Sequence, residues 1–152
     1  MQRIGVISDT HGLLRPEAIS KLEGVCQIVH AGDIGKPEIV SCLAGIAPVT
    51  TIRGNVDTAD WAQAFPETAC LDVAGRRIFV IHDRNDLAFD PAEEGYDLVI
   101  SGHCHRPGFE TVENVLYLNP GSAGPRRFKL PVTLATLDLE QSPLVPAIHQ
   151  LV

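Results

Sequence analysis

No apolar run in this chain approaches the ~18–20 residues that a membrane-crossing helix requires, although apolar residues make up 45% of its 152 positions. Cysteine is sparse and scattered: Cys26, Cys42, Cys70 and Cys104 form no C-x-x-C pair, so free thiols read better than a disulfide framework. Basic residues are outnumbered, with a formal net charge of −7 and a pI near 5.2. That balance excludes a general attraction to nucleic acid or anionic lipid, and any phosphate must be caught by charge concentrated at one place. Repeats, low-complexity tracts and charge runs are missing, which leaves nothing to mark a linker; one domain over residues 1–152 is expected, large enough to bury a core unaided. The opening "MQRIGVISDTHG" lacks a secretory pattern because its apolar run breaks at Ser8-Asp9. A cytoplasmic protein is therefore expected, its thiols serving as small buried hydrophobes.

What is present is a strand and helix alternation followed by a strand-rich half. "RIGVIS" suits a buried strand, and "RPEAISKLEG" has Pro at a helix start and Gly past its end. "CQIVHAGD", "GKPEIVSCLAGI" and "VTTIRGN" repeat strand, helix, strand, which gives a β-α-β-α-β parallel sheet with helices packed on it. Farther on, "ACLDVAGRRIFVIHD" and "GFETVENVLYLNPG" each read as two strands joined by a tight turn, at Ala74-Gly75 and Glu113-Asn114. "VTLATLDL" alternates and is β-branched, and helical pattern in this half shrinks to a turn or two at "DPAEEGY". Two layers of sheet with helices outside accommodate both halves.

The stretch "VISGHCHRPG" sets the functional question. Gly102 and Pro107 supply turn chemistry, but His103 and His105 are not needed for a turn. The other strands end in similar chemistry: Ser8-Asp9-Thr10-His11, Gly32-Asp33, Gly54-Asn55-Val56-Asp57 and His82-Asp83. Ligands in open α/β sheets collect beyond the carboxyl ends of the strands, so these groups are candidates for one cleft. Any single D-x-H or H-x-H is weak evidence; five together are not. If each segment stays extended, residues i and i+2 point the same way. Asp9 would then converge with His11, and His103 with His105, while Thr10 and Cys104 act as spacers.

Two carboxylates, an amide oxygen and several imidazoles, with no thiolate required, suit Mn, Fe, Ni or Zn. The donors are too many for one ion and fit two. Two dications ~3.5–4 Å apart repel by on the order of 20 kcal/mol even at an effective dielectric near 20, so an anion must stand between them. Asp33, a lone carboxylate after Gly32, is the expected bridge.

In order, "DTHG", "GD", "GNVD", "IH" and "GHCH" resemble the signature of the calcineurin-like metallophosphoesterase superfamily, in its small single-domain branch of YfcE-type phosphodiesterases. "NPGSAGPRR", Asn119 to Arg127, is similar to a late motif of that branch, so nearly the whole chain is covered. The resemblance implies a four-layer α-β-β-α sandwich around two mixed sheets. It implies that one divalent metal, manganese foremost, is held by Asp9, His11, Asp33 and His105. The second would be held by Asp33, Asn55, His82 and His103. It further implies hydrolysis of a small-molecule phosphate ester by attack of a metal-bridging hydroxide, with Asp33, Asn55 and His103 closest to the chemistry and Asn55 and Arg126 on the substrate. Small members of this branch resemble dimers or larger assemblies, so a homo-oligomer is also implied, with neither nucleic acid nor membrane as a general partner.

Two departures shape the expectation. Many members carry His after the motif Asn, to protonate or stabilise the leaving group; Val56 stands there in this chain, which favours esters with good leaving groups. In "IHDRND" relatives commonly have Gly after the metal-binding His, whereas Asp83 and Asp86 here would repel a dianionic monoester and favour diesters. Arg126 and Arg127 read equally as phosphate-steering groups or as ion-pair partners. His30 is expected to be a hydrogen-bonded core group, His149 to face solvent in the tail, and Trp61 and Phe65 to form a core stripe. The competing functions are a non-catalytic scaffold and a nucleotide-binding regulator on the same fold; the presence of all seven expected ligands argues against the first.

Overall fold

The computed structural model, which describes residues 2–152, alternates strand and helix through its first half as the pattern predicts. The elements are β1 (Arg3–Ile7), α1 (Pro16–Leu22), β2 (Gln27–His30), α2 (Pro37–Ala44) and β3 (Val49–Thr51). The three strands are parallel, with Ile7 opposite His30 and His30 opposite Thr51. Their carboxyl ends are therefore level. Each helix starts on a proline whose missing N–H costs nothing at that position, with Glu17 or Glu38 complementing the positive end.

The second half supplies β4 (Thr68–Val73), β5 (Arg76–Ile81), β6 (Leu98–Ile100), β7 (Gly108–Val112), β8 (Val115–Asn119), β9 (Thr133–Asp138) and β10 (Ala147–Gln150). The two hairpins turn where expected. Ala74 and Gly75 have φ of 51° and 78°, and Glu113 and Asn114 have 51° and 65°, the paired left-handed geometry that matches strand twist. Two mixed sheets result, ordered β10-β9-β1-β2-β3 and β4-β5-β6-β8-β7. In the second sheet β5, β6 and β8 are parallel and in step, Val80 beside Ile100 and Ile100 beside Leu118. A second row of carboxyl ends is thereby aligned.

Strand parity assigns the core. Ile4 and Val6 of β1, Val29 of β2, and Leu98 and Ile100 of β6 fill the space between the sheets, while Ile7 and Ile28 turn outward to meet Ala18, Leu22, Ile39 and Leu43 of the helices. Burial on both faces explains why β1 reads as a continuous apolar run. Trp61 and Phe65 join the helix-side cluster, their rings edge to face at 6.5 Å. The outer face of the second sheet is covered differently. Among the described residues no α-helix lies there, and the fourth layer consists of a short 3-10 turn at Arg84–Asp86 and the turns of "DPAEEGY". From that layer Leu87 and Ala92 pack against Val99 and Val115, and Phe89 and Tyr96 meet Phe79. Among the described residues no helix is long and apolar enough to cross a membrane.

Two expectations need correction. Cys42, Cys70 and Cys104 are exposed and only Cys26 is partly buried, although all four are free. The reason is phase: Ile39 and Leu43 take the buried face of α2, and Ala69, Leu71 and Val73 take that of β4. His149 is not a solvent-facing tail residue. It lies half-buried on edge strand β10, which pairs with β9, and its Nε2 shares a 2.8 Å hydrogen bond with Thr136 Oγ1. Prolines at 143 and 146 mask this strand in the sequence.

His30 behaves as expected of a core group. Its Nδ1 accepts from Gly32 N–H at 3.1 Å, so the proton sits on Nε2, which donates to Thr10 Oγ1 at 2.9 Å. Thr10 passes the chain on to the Ile34 carbonyl at 2.9 Å. The loops after β1 and β2 are thus joined through a neutral imidazole, and burial pulls its pKa from the ordinary 6.5 to about 4. Because the folded value lies below the unfolded one, the unfolded chain takes up the proton first and stability falls as pH drops from about 6.5 towards 4. The expected loss from this residue is on the order of 3 kcal/mol. Urea unfolding across that pH range should show this component in the wild-type chain and lack it in His30→Gln.

Candidate metal centre

All seven residues singled out as metal ligands lie on the loops that leave the two aligned rows of strand ends. Asp9 and His11 follow β1, Asp33 follows β2, Asn55 follows β3, His82 follows β5, and His103 and His105 follow β6. Two groups of donor atoms form, each within 4.8 Å of one another: Asp9 with His11 and His105, and Asp33 with His82 and His103. Asp33 Oδ2 reaches both, lying 3.7 Å from His11 Nε2 and 3.1 Å from His82 Nε2. Asp9 Oδ1 likewise lies 3.6 Å from His105 Nε2 and 3.9 Å from both His11 and His82. Asn55 is exposed and lines a hollow shared with His82 and His103.

The convergence expected of Asp9 with His11 is present, that of His103 with His105 is not, and neither segment is extended. Asp9, His11, Asp33, His103 and His105 have φ of 56°, 45°, 56°, 75° and 63°. This left-handed region costs a non-glycine residue about 1–2 kcal/mol, and its concentration at one site marks conformations held for function. The left-handed turns aim Asp9 and His11 at the same group but send His103 and His105 to different ones. Thr10 turns away to His30, and Cys104 to Asn119 Nδ2 at 3.2 Å, so both are spacers, as expected.

The network that fixes these turns is built from Asp57, Ser8 and Asn119, which stand in the quoted motifs but carry no individual role in the sequence analysis. Asp57 is 3% exposed. Its Oδ1 accepts from Ile34 and Gly35 N–H, and its Oδ2 from Ile34 and Gly54 N–H, at 2.8–3.1 Å. This one carboxylate ties the Asp33 loop to the Asn55 loop. Its place in "GNVD", two residues after Asn55 and three after Gly54, is the signal that could have identified it. Ser8 Oγ and His103 N–H both donate to Asp9 Oδ2, at 2.8 and 3.1 Å, which leaves Oδ1 facing the cluster. Asn119 Nδ2 donates to the Gly102 carbonyl at 3.0 Å and steadies the histidine loop. Close approach requires glycine twice: a Cβ on Gly54 would stand 2.2 Å from Asp33 Oδ1, and one on Gly102 2.1 Å from Ser8 Oγ.

The electrostatics call for a cation. Burial raises the Asp9 carboxyl to about 6 against the Ser8 hydrogen bond. Burial also acts on Asp33, but the His82 ring and the Val56 N–H outweigh it and hold that carboxyl near 2. His82 responds in kind: burial lowers it, yet Asp33 and the Ala31 carbonyl, 2.7 Å from Nδ1, lift it to about 9. Since Nδ1 is committed to that carbonyl, Nε2 is the atom turned to the carboxylates. His105 is depressed to about 4 by burial and then by Arg127. Four buried atoms here, Asp9 Oδ1, His11 Nε2, His82 Nε2 and His105 Nδ1, lack an aligned hydrogen-bond partner among the described residues. Buried polar atoms are rarely left so, and a donor set of carboxylate and imidazole with orphaned lone pairs fits divalent metal.

Around the cluster, Asp83 stands 3.7 Å from the half-exposed His103 and Asp86 lines the hollow beside Asn55. Val56, whose N–H donates to Asp33 Oδ1, is 47% exposed. Arg126 is exposed on the segment after Pro125 and does not border the two hollows beside His103, whereas Arg127 acts electrostatically on His105.

Comparison with known proteins shows the family and the fold. Residues 2–142 match the calcineurin-like phosphoesterase superfamily domain. A probable metallophosphoesterase of Methanothermobacter thermautotrophicus is 37% identical over 131 residues, covering 78% of this chain and 76% of the relative. The structure of an archaeal phosphodiesterase superposes with a TM-score of 0.80 at 25% identity, covering 97% of this chain and 99% of that one. A single mutant of Vps29 from Entamoeba histolytica reaches a TM-score of 0.81 at 24% identity, covering 99% and 93%, and shares the fold.

Removing the Asp57 carboxylate leaves three N–H groups without their partner at once, that of Ile34 fully buried. Asp57→Ala is expected to lower stability by on the order of 3 kcal/mol, read from the urea midpoint, and Asp57→Asn to recover part of it.

Proposed function

The chain belongs to the calcineurin-like phosphoesterase superfamily, and on that premise we propose that it is a phosphodiesterase dependent on two divalent cations, manganese foremost, with iron, nickel and zinc as alternatives. Asp9, His11, Asp33 and His105 would hold one ion, and Asp33, Asn55, His82 and His103 the other. The observation that carries this reading is the single Asp33 oxygen lying within 3.7 Å of a histidine from each donor group. When bound, such ions polarise phosphoryl oxygens as Lewis acids and lower the pKa of water.

The chain's own residues set the rest. Asp33 accepts from Val56 N–H at 3.1 Å through Oδ1, which orients Oδ2 toward both groups. The Asn55 carboxamide, exposed at the mouth, can donate to a phosphoryl oxygen, and His103 flanks the same position from the opposite loop. Val56 has no proton to give to a leaving oxygen, so the rate should depend on how well that oxygen bears charge. Asp83 and Asp86 place negative charge beside the cleft, which disfavours a dianionic monoester over a monoanionic diester.

Bis(p-nitrophenyl) phosphate supplied with Mn²⁺ should be hydrolysed, and Asp33→Ala or Asn55→Ala should each lose at least about a hundredfold in kcat/KM. Across aryl diesters the rate should fall steeply as the leaving-group pKa rises; a flat series would remove Val56 from the account. Mn²⁺ should also raise the thermal unfolding midpoint of the wild-type protein and not that of Asp9→Asn. Turnover that ignores metal, or none at all, would favour a non-catalytic scaffold or a nucleotide-binding regulator.

A further inference from the structure

Two hollows open on either side of His103, and they differ in chemistry. One, of about 370 Å³, runs past Asn55 to Glu67, Asp83 and Asp86. Its cation, Arg53, is already paired with Glu67 at 3.2 Å. The other, of about 360 Å³, lies between the histidine loop and the β7–β8 hairpin and is walled by Arg84, Arg106, Phe109 and Tyr117, with Asp83 and Glu110 as its two carboxylates. A diester phosphate next to His103 has two ester arms, and each hollow is the size of a small-ligand site.

The second hollow carries features for a flat, anionic group. Arg84 is fixed as a plane: its guanidinium lies 3.9 Å over the Tyr117 ring and is anchored to Glu110 at 2.7 Å. Phe109 is 48% exposed on an edge strand, an aromatic surface with no role in the core. Arg106 is exposed and has no ion-pair partner among the described residues, unlike Arg84 and Arg53. Arg106 also borders the exposed Phe128 and Lys129, so positive charge continues outward from it. In a chain of net charge −7, an unpaired arginine beside an exposed ring and a held guanidinium plane is a place for a phosphate next to a stacked heterocycle. The acid-lined hollow offers the opposite and suits an uncharged arm.

We propose that the hollow walled by Arg84, Arg106 and Phe109 binds a nucleotide arm of the substrate, its base against Phe109 and the Arg84 plane and its second phosphate on Arg106. The substrate class is then a nucleotide-containing phosphodiester whose anionic nucleotide side lies toward β7–β8. This rests on the phosphodiesterase reading, and its test separates the two.

The probe is thymidine 3′,5′-bisphosphate, titrated calorimetrically into Mn²⁺-supplemented protein beside the 3′- and 5′-monophosphates and inorganic phosphate. The bisphosphate should bind at least about fivefold more tightly than either monophosphate. Arg106→Ala should abolish that preference and Arg106→Lys should restore part of it. Phe109→Ala should weaken the thymidine compounds and leave inorganic phosphate unchanged, with circular dichroism confirming that each variant is folded. A bisphosphate that binds no better than the monophosphates, or a preference that survives Arg106→Ala, overturns the proposal. Turnover of bis(p-nitrophenyl) phosphate on the same preparation reports on hydrolysis separately. Turnover without the preference overturns the nucleotide subsite alone, and the preference without turnover overturns the hydrolase reading alone.

Discussion

The Asp57 carboxylate accepts N–H groups from Ile34, Gly35 and Gly54, and through it the positions of Asp33 and Asn55 depend on each other. Backbone bonds tie the Asp33 loop to the loop after β1 and close a turn in the Asn55 loop, but the Asp33 and Asn55 loops are linked to each other through side chains, this carboxylate and that of Asp33. Left-handed turns at Asp33 and its neighbours are conformations a free loop would abandon. They persist because leaving them would strand the donors they satisfy, the buried Ile34 N–H among them. His30 does the same between the loops after β1 and β2, and Asn119 does it for the histidine loop. Shape at the centre is thus enforced by groups that never face it.

Charge is organised in the opposite sense from overall composition. A chain with an excess of acid gathers its imidazoles where two buried carboxylates would repel each other, and the two carboxylates are not equivalent. Asp33 is held ionised by His82, while Asp9 is drawn toward neutrality by burial. The hollows beside His103 then differ in charge balance, three carboxylates to one arginine on the Asn55 side and two of each on the β7–β8 side, where Arg106 has no ion-pair partner among the described residues.

Much of this was legible in the residues. Continuous apolar runs, Pro and Gly at helix ends, and paired turn residues gave the three parallel strands of the first sheet, both helices and both hairpins, because these are local choices enforced by backbone sterics. The six Asp and His residues that the structure gathers were legible because polar groups at strand ends have no core to serve. What stayed hidden depends on tertiary context. Edge strand β10 was masked by flanking prolines, and its His149 found Thr136 across the sheet. Cysteine exposure turned on one step of phase in α2 and β4. The left-handed backbone at Asp9 and His11 leaves no mark in residue type, and Asp57 looked like one more polar loop residue until its partners could be counted.

The unequal burial of the two donor groups has a kinetic side. Asp9 and His105 are closed off and His11 nearly so, whereas His103 is an open side chain at the surface. An ion held by the first trio would exchange with bulk slowly, since one of its protein ligands must swing through packed surroundings before solvent can take its place. An ion relying on His103 would come and go freely. If the proposed pair of ions is bound, partial occupancy after purification would be lopsided, and the half-loaded species would keep its ion on the Asp9 side.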